Sequence, residues 1–349
     1  MAGGDAIRIG ILGASGYTGA DLVRLLLRHR RARIVTMTAD RHAGKPISAV
    51  FPHLVDHGLP DLVRVEDADW SACGVVFCAL PHGTTQEIVA RLPADLKVVD
   101  LSADFRLRDP ETYAAWYGHE HYAPNLQPQA VYGLTELHRE AVRDARLVAC
   151  PGCYPTAALL AVQPLLDEGL VDPDSVVMDA KSGVSGAGRS LKENTLFCEA
   201  GEGVSAYGVG KHRHMPEIEQ ELSAASGRPV LISFTPHLIP MSRGELITAY
   251  LKLGDGVTAE TLNARLAARY DGEPFVRVLP MGTAVSTVHV RGSNRCLISV
   301  FPDRRPGHAL VLSAIDNLVK GSSGQAIQNM NLMCGLDETE GLEQVALFP

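Results

Sequence analysis

The most reactive chemistry in this chain sits in the segment Ala149-Cys150-Pro151-Gly152-Cys153-Tyr154-Pro155-Thr156. An apolar run ends just before it, and Pro155 suits a first helical position. Cys153 is therefore expected at a helix N-terminus that follows a strand. There the helix dipole favours thiolate over thiol, the form a nucleophilic cysteine needs. A zinc site built on Cys150 and Cys153 would want a second ligand pair at similar spacing, and the sequence offers none. A redox pair usually opens a helix early in a thioredoxin-like unit, whereas this pair comes only after about 150 residues of other structure. Cys150 then reads as a small buried core residue.

Two further clusters have the residue types of an anion or proton-transfer site. In Lys211-His212-Arg213-His214-Met215-Pro216-Glu217 the histidines alternate with cations. No nearby acid and cysteine complete a metal site. A histidine beside Lys and Arg suits work on a phosphorylated substrate as a general acid or base near neutral pH. A solvated basic patch explains the same residues equally well. In Ser182-Gly183-Val184-Ser185-Gly186-Ala187-Gly188-Arg189, glycines interleaved with hydroxyls and closed by an arginine suit an anion-binding loop, and a flexible surface loop is the competing reading. Leu101–Arg106 adds Arg106 as a further donor to phosphate or carboxylate.

The fourth cluster is Gly13-Ala14-Ser15-Gly16-Tyr17-Thr18-Gly19, between the first apolar run and the first amphipathic stretch. Glycines in that position let the backbone turn tightly and approach a pyrophosphate, with the helix N-terminus presenting free N–H groups to it. The motif alone is weak, and its place after a strand and before a helix strengthens it. Asp40 follows the second strand where an NAD enzyme keeps its ribose-binding acid. Arg41 and Lys45 lie just beyond and suit a 2′-phosphate. The residues alone leave the choice between NAD and NADP open.

The elements that must position these clusters fall into two patterns. Ile7–Leu12, Ile34–Thr38, Val75–Ala79 and Val98–Leu101 read as buried strands, alternating with helices at Ala20–His29 and Thr84–Leu92. That is the pattern of a parallel sheet covered on both faces, with ligands beyond the carboxyl ends of its strands, so the turns Leu80–Gly83 and Ser102–Arg106 are expected on the ligand side. After a helix at about Pro155–Glu168, strands are expected at Ser175–Ala180, Val230–Pro236, Leu246–Leu253, Val285–Val290 and Cys296–Phe301. Their alternation points to a mainly antiparallel sheet, with helices at Glu217–Ala225 and Thr258–Tyr270 covering it. Ala309–Lys320 and Gln325–Met333 read as a helical tail. The expectation is an α/β chain: a Rossmann-type doubly wound nucleotide domain over residues 1–150, completed by the tail 310–349, and an α+β catalytic and oligomerisation domain over 151–309.

Composition narrows the function classes. At 349 residues, 46% hydrophobic and 21% charged, the chain can bury a large core without disulfides. A net charge of −8 speaks against nucleic acid. No apolar run is long enough for a membrane span, and Met1–Asp5 lacks the basic start of a secretory signal. Seven scattered cysteines fit a reducing compartment, and a cytoplasmic location is expected.

Taken together, these segments resemble the N-acetyl-gamma-glutamyl-phosphate reductase family of the semialdehyde dehydrogenase superfamily. The marks are Gly13–Gly19, Ala43-Gly44-Lys45, Phe51–Leu54, Leu80–Gly83, Leu101–Arg106, Tyr132–Glu136, Pro151–Thr156, Ser182–Arg189, His212–Glu217 and Asp316–Gln325. They span essentially the whole chain, and in this order they are highly specific. The resemblance implies a Cys153 nucleophile and His212 as the acid/base, with His214 as an orienting or phosphate-side group; Arg106, Ser182, Gly183 and Arg189, read above as anion binders, are then expected around the substrate. It implies NADP(H) as cofactor, held by Gly13, Ser15, Gly16, Tyr17, Thr18 and Gly19, with Arg41 and Lys45 on the 2′-phosphate and Asn317 near the nicotinamide. The implied chemistry is a thioester on Cys153, formed from N-acetyl-L-glutamyl 5-phosphate and reduced to the 5-semialdehyde. No metal is implied, and a homodimer or homotetramer is. The rivals are an enzyme like aspartate-semialdehyde dehydrogenase and a catalytically silent NADP-binding regulator.

Overall fold

A computed structural model describes residues 6–349. The chain divides into two compact units, Met1–Pro151 with Ser322–Glu343, and Gly152–Gly321 with Gln344–Pro349.

The first unit is built on seven strands, β1 (Ile7–Leu12), β2 (Ala32–Thr38), β3 (Leu62–Val63), β4 (Val75–Cys78), β5 (Lys97–Asp100), β6 (Ala130–Tyr132) and β7 (Leu147–Ala149). Their order in the sheet is β3-β2-β1-β4-β5-β7-β6, and every pair is parallel. The four runs read as buried strands are β1, β2, β4 and β5. Their apolar residues leave no polar face because both faces of the sheet are covered. Four helices connect the strands: α1 (Tyr17–Leu26), α2 (Thr85–Arg91), α3 (Pro110–Tyr117) and α4 (Thr135–Asp144). The strand order reverses between β1 and β4, the switch point where doubly wound sheets open a crevice.

The second unit begins with α5 (Cys153–Asp167), almost wholly buried. Around it lie β8 (Val177–Gly183), the short α6 (Phe197–Ala200), β9 (Ser205–Ala206), α7 (Met215–Ser226), β10 (Ser233–Ile239), β11 (Glu245–Lys252), α8 (Ala259–Arg269), β12 (Val276–Val278), β13 (Cys296–Pro302) and β14 (His308–Ile315). The sheet runs β12-β13-β14-β11-β8-β10-β9. It is mainly antiparallel, with β8–β10 and β12–β13 as its parallel pairs.

Two expected elements come out differently. Ala309–Lys320 is not helical: His308–Ile315 is a central strand, antiparallel to both β11 and β13. A continuous apolar run carries no period to separate a buried strand from a buried helix. The part of the tail from 310 to 321 accordingly goes with the second unit. Val285–Val290 is not a strand but a loop with one tight turn at Thr287–His289, pinned by Val285 and Val290 in a core cluster with Ala314. A π-helical turn at Val319–Ser323 leads into α9 (Gly324–Met333). This helix belongs to the first unit, where Asn331 Oδ1 lies 2.9 Å from His29 Nε2 and Ser323 Oγ donates to the Thr18 carbonyl at 3.0 Å.

Candidate active site

The nucleotide turn of the first unit has the shape its glycines call for. Gly13 sits at φ +80°, and a Cβ there would lie 2.5 Å from the Ala79 carbonyl oxygen. A Cβ on Gly19 would lie 2.5 Å from Gly13 O, so α1 packs against the turn as only glycine allows. Gly16 is the N-cap of α1 and carries no side chain that would close it. Helix α1 starts at Tyr17, three residues earlier than the periodicity suggested, so Ser15, Gly16, Tyr17 and Thr18 form the helix mouth itself. This cradle fits a dinucleotide pyrophosphate. Asp40, Arg41 and Lys45 are exposed on the loop after β2.

The turns after β4 and β5 are tied together from within. Asp104 is fully buried and accepts from the amides of Gly83 (2.6 Å) and Thr85 (2.9 Å). Arg106 is buried as well, and Nε donates to Cys150 O at 2.8 Å and Nη2 to Leu101 O at 3.1 Å. These two bonds clamp the guanidinium to the main chain on either side of the turn. Cys150 is a core thiol, with burial pushing it up to about 12 and Asn329 Nδ2 donating to its sulfur.

In the second unit, α5 starts at Cys153, with Gly152 as N-cap and Pro155 in the third helical position rather than the first. The amides of Cys153 and Tyr154 therefore point out of the helix end without intrahelical acceptors. Cys153 is half-buried. Its surroundings come from two elements, the start of α7 and the π-helical turn. From the start of α7, Glu217 is buried and accepts the Gly152 N–H at 2.8 Å. The His214 ring lies against Gly152 so closely that a Cβ there would be 2.4 Å from Nε2. From the π-helical turn, Gly321 lies against the thiol residue: a Cβ on it would be 2.7 Å from Cys153 Cβ.

His212 packs its ring on Tyr154 (5.6 Å between centroids), Tyr207 (5.4 Å) and His214 (4.8 Å). Its Nδ1 accepts the His214 backbone N–H at 3.2 Å. Burial, with Arg213 adding to it, lowers its pKa to about 4. Neutral imidazole with an occupied Nδ1 carries its proton on Nε2. With Nδ1 occupied and its pKa lowered, His212 rests as a neutral ring whose Nε2–H is available to donate.

The glycine-rich loop is more closed than its composition suggested. Ser182 is buried, and its hydroxyl donates to Gly183 O at 3.1 Å. Gly183 is packed against the main chain at Met241–Arg243. Arg189 at the loop's end is exposed. Asn317, expected at the nicotinamide, accepts from Gly244 N (2.8 Å) and donates to Ser185 Oγ (3.0 Å). Its amide braces two loops.

One residue of the site escaped the sequence reading. Glu245, the first residue of β11, is fully buried. Its carboxylate faces the Cys153 thiol. No nitrogen or oxygen of the described residues donates to either of its oxygens. The signal was there in the strand: residues 245, 247, 249 and 251 share the buried face.

Residues 8–145 match the family model "Semialdehyde dehydrogenase, NAD binding domain", and residues 153–317 match "Semialdehyde dehydrogenase, dimerisation domain". An N-acetyl-gamma-glutamyl-phosphate reductase of Rhodospirillum rubrum is 58% identical over 99% of both chains. A probable chloroplastic N-acetyl-gamma-glutamyl-phosphate reductase of Oryza sativa is 57% identical over 99% of this chain and 83% of its own. Among solved structures, aspartate semialdehyde dehydrogenase II of Vibrio cholerae superposes with a TM-score of 0.72 at 16% identity, over 95% of this chain and 99% of that one. Aspartate semialdehyde dehydrogenase of Candida albicans gives 0.68 at 16% identity, over 95% and 99%. At such identities the likeness is one of fold.

Proposed function

The chain belongs to the N-acetyl-gamma-glutamyl-phosphate reductase family, and from that premise we propose that Cys153 carries the reduction of N-acetyl-L-glutamyl 5-phosphate to the 5-semialdehyde through a thioester. The cofactor is NADP(H). The observation that carries the reading is Cys153 as the first residue of α5, with outward-pointing amides beside it and His212, His214 and Glu217 gathered at the same helix end.

Each group has a task. The Cys153 sulfur adds to the acyl carbon and phosphate departs as the C–S bond forms. The amides of Cys153 and Tyr154 and the Nε2–H of His212 meet the oxygen that becomes an oxyanion in the tetrahedral species. His214, Ser182, Gly183 and Arg189 face the phosphate side of the substrate. Gly13, Ser15, Gly16, Tyr17, Thr18 and Gly19 cradle the pyrophosphate of NADP(H), with Arg41 and Lys45 on its 2′-phosphate. When bound, the cofactor supplies the hydride that reduces the thioester carbon. The first unit thus serves as the NADP(H)-binding domain, and the second as the catalytic and oligomerisation domain.

The chain acts as a cytoplasmic homo-oligomer, a dimer or tetramer. Exposed Leu191, Leu196, Phe197, Val204 and Val209 in the segment around α6 support self-association. No helix among the described residues is long and apolar enough to cross a membrane.

The test is Cys153→Ser. Turnover of the acetylated acyl phosphate should vanish while NADPH still binds with wild-type affinity. Iodoacetamide should label Cys153 as activity is lost. Loss of activity that instead tracks labelling of Cys150 would make that residue the nucleophile.

A further inference from the structure

Resting on Cys153 as the nucleophile, we propose that Glu245 is the group that takes the proton of the Cys153 thiol and holds it until the sulfur is released again.

Four observations support this. Glu245 is fully buried, and a buried carboxylate without partners is costly unless it is neutral or serves a purpose. Its oxygens have no nitrogen or oxygen donor among the described residues, so their lone pairs are open to a proton. The thiol of the nucleophile is the group they face. His212, the residue expected to do this work, has Nδ1 occupied by a backbone N–H, which in a neutral ring leaves the proton to Nε2.

The position is built into the sheet. Glu245 pairs with Ser182 on β8 and Ile315 on β14, so it sits between two neighbouring strands. Gly244 before it holds φ +111° and is tied by its amide to Asn317. A Cβ on Gly244 would lie 2.6 Å from Thr287 Cβ. The kink can thus be made by glycine and sends the next side chain to the core face. The titratable groups around the carboxylate are Cys153 and Tyr154 from α5, Tyr207 from the loop after β9, and Asp316 after β14. Asp316 is itself paired with Arg243 at 3.6 Å. Burial raises Glu245 to about 8, with Asp316 adding to the rise and the thiol opposing it. A carboxyl so poised can accept and return a proton near neutral pH.

The proton balance closes. As sulfur adds to the acyl carbon, the S–H bond breaks and its proton passes to a Glu245 oxygen. The C–S bond replaces the bond from that carbon to the phosphate oxygen. Phosphate leaves with the electron pair and takes a proton from solvent. After the reduction, the C–S bond breaks with its pair on sulfur, and Glu245 returns the proton. Carboxylate and thiol end the cycle as they began it.

The experiment uses the full chain. Phosphate release in a single turnover and alkylation of Cys153 by iodoacetamide are followed either side of pH 8 in the wild type, Glu245→Gln and Glu245→Asp. In the wild type both rates should rise as pH passes through about 8. In Glu245→Gln phosphate release should slow by about 10²-fold or more, and both rises should move to higher pH. Glu245→Asp, which keeps the charge at shorter reach, should keep the rise near its place with slower phosphate release, and it carries the test should the Gln variant not fold. Wild-type rates and pH dependence in Glu245→Gln, or a Glu245→Asp enzyme whose rise in rate is lost or moved as far as in Glu245→Gln, overturn the proposal while leaving Cys153 as nucleophile. Turnover surviving in Cys153→Ser removes both.

Discussion

A neutral imidazole whose Nδ1 is occupied has one thing left to offer, the proton on Nε2. That decides how His212 should respond to substitution. A lost oxyanion donor costs about 10²- to 10³-fold in kcat, so His212→Ala should fall by that much with little change in the Michaelis constant. His212→Gln, which can present an N–H from a similar position, should recover part of the loss. A base could not be replaced by an amide, so a Gln variant as slow as the Ala variant would return the histidine to acid/base work. The acid limb gives a second check. With its pKa lowered to about 4, His212 should contribute no fall in kcat between pH 7 and pH 5. At this scale the thiol was legible, because Pro155 and the preceding strand announce a helix end. Glu245 was not: a glutamate opening an alternating strand reads as solvated, and only the register of 247, 249 and 251 places it with the core.

Elements carry the site through close approaches that only small residues allow. The π-helical turn at Val319–Ser323 brings Gly321 against Cys153. Such turns inside helices recur at functional sites. A methyl at 321 would meet Cys153 Cβ at 2.7 Å and Cα at 3.1 Å, so the thiol residue must move. Gly321→Ala should lower kcat by about 10²-fold, the cost of misplacing a reacting group by about an ångström. Circular dichroism and NADPH affinity should stay as in the wild type. A Gly321→Ala enzyme of normal kcat would mean that α5 tolerates the shift. The sequence showed Asp316–Gln325 as a motif but not this use of it. The preceding strand is apolar without a period, so the segment read as one helix. The bracing contacts of Asn317 were hidden for a related reason: its partners, Gly244 and Ser185, lie 73 and 132 residues away. The first sheet was legible because each of its central strands is a short apolar run bounded by turn residues. Val285 and Val290 misled because two buried side chains five residues apart can pin a loop as well as a strand.

For the whole molecule, buried acids set how stability follows pH. Asp100 in the first unit is fully buried, and burial, with the neighbouring Asp104, raises it to about 7 from 3.8. The folded chain therefore keeps this proton across a window in which the unfolded chain has lost it. Stability rises with pH only where the unfolded state binds more protons, so the sign here is the reverse. The contribution is full below pH 3.8 and is lost as pH rises through about 7. Glu245 in the second unit has the same sign, lost as pH rises through about 8. His212 opposes them, its contribution being lost as pH falls from 6.5 towards 4. Asp100→Asn separates the first term from the rest. The amide can still accept the Ser102 N–H that Asp100 accepts at 3.0 Å, and it never ionises. The variant should match the wild type near pH 4 and become the more stable of the two as pH rises to 8. Three pKa units set a ceiling of about 4 kcal/mol on that gain, with relaxation around the charge reducing it. Urea midpoints of the two proteins, followed by a probe in the first unit, measure the difference directly. Midpoints that stay parallel from pH 4 to pH 8 would mean that Asp100 ionises in the folded chain as easily as in water.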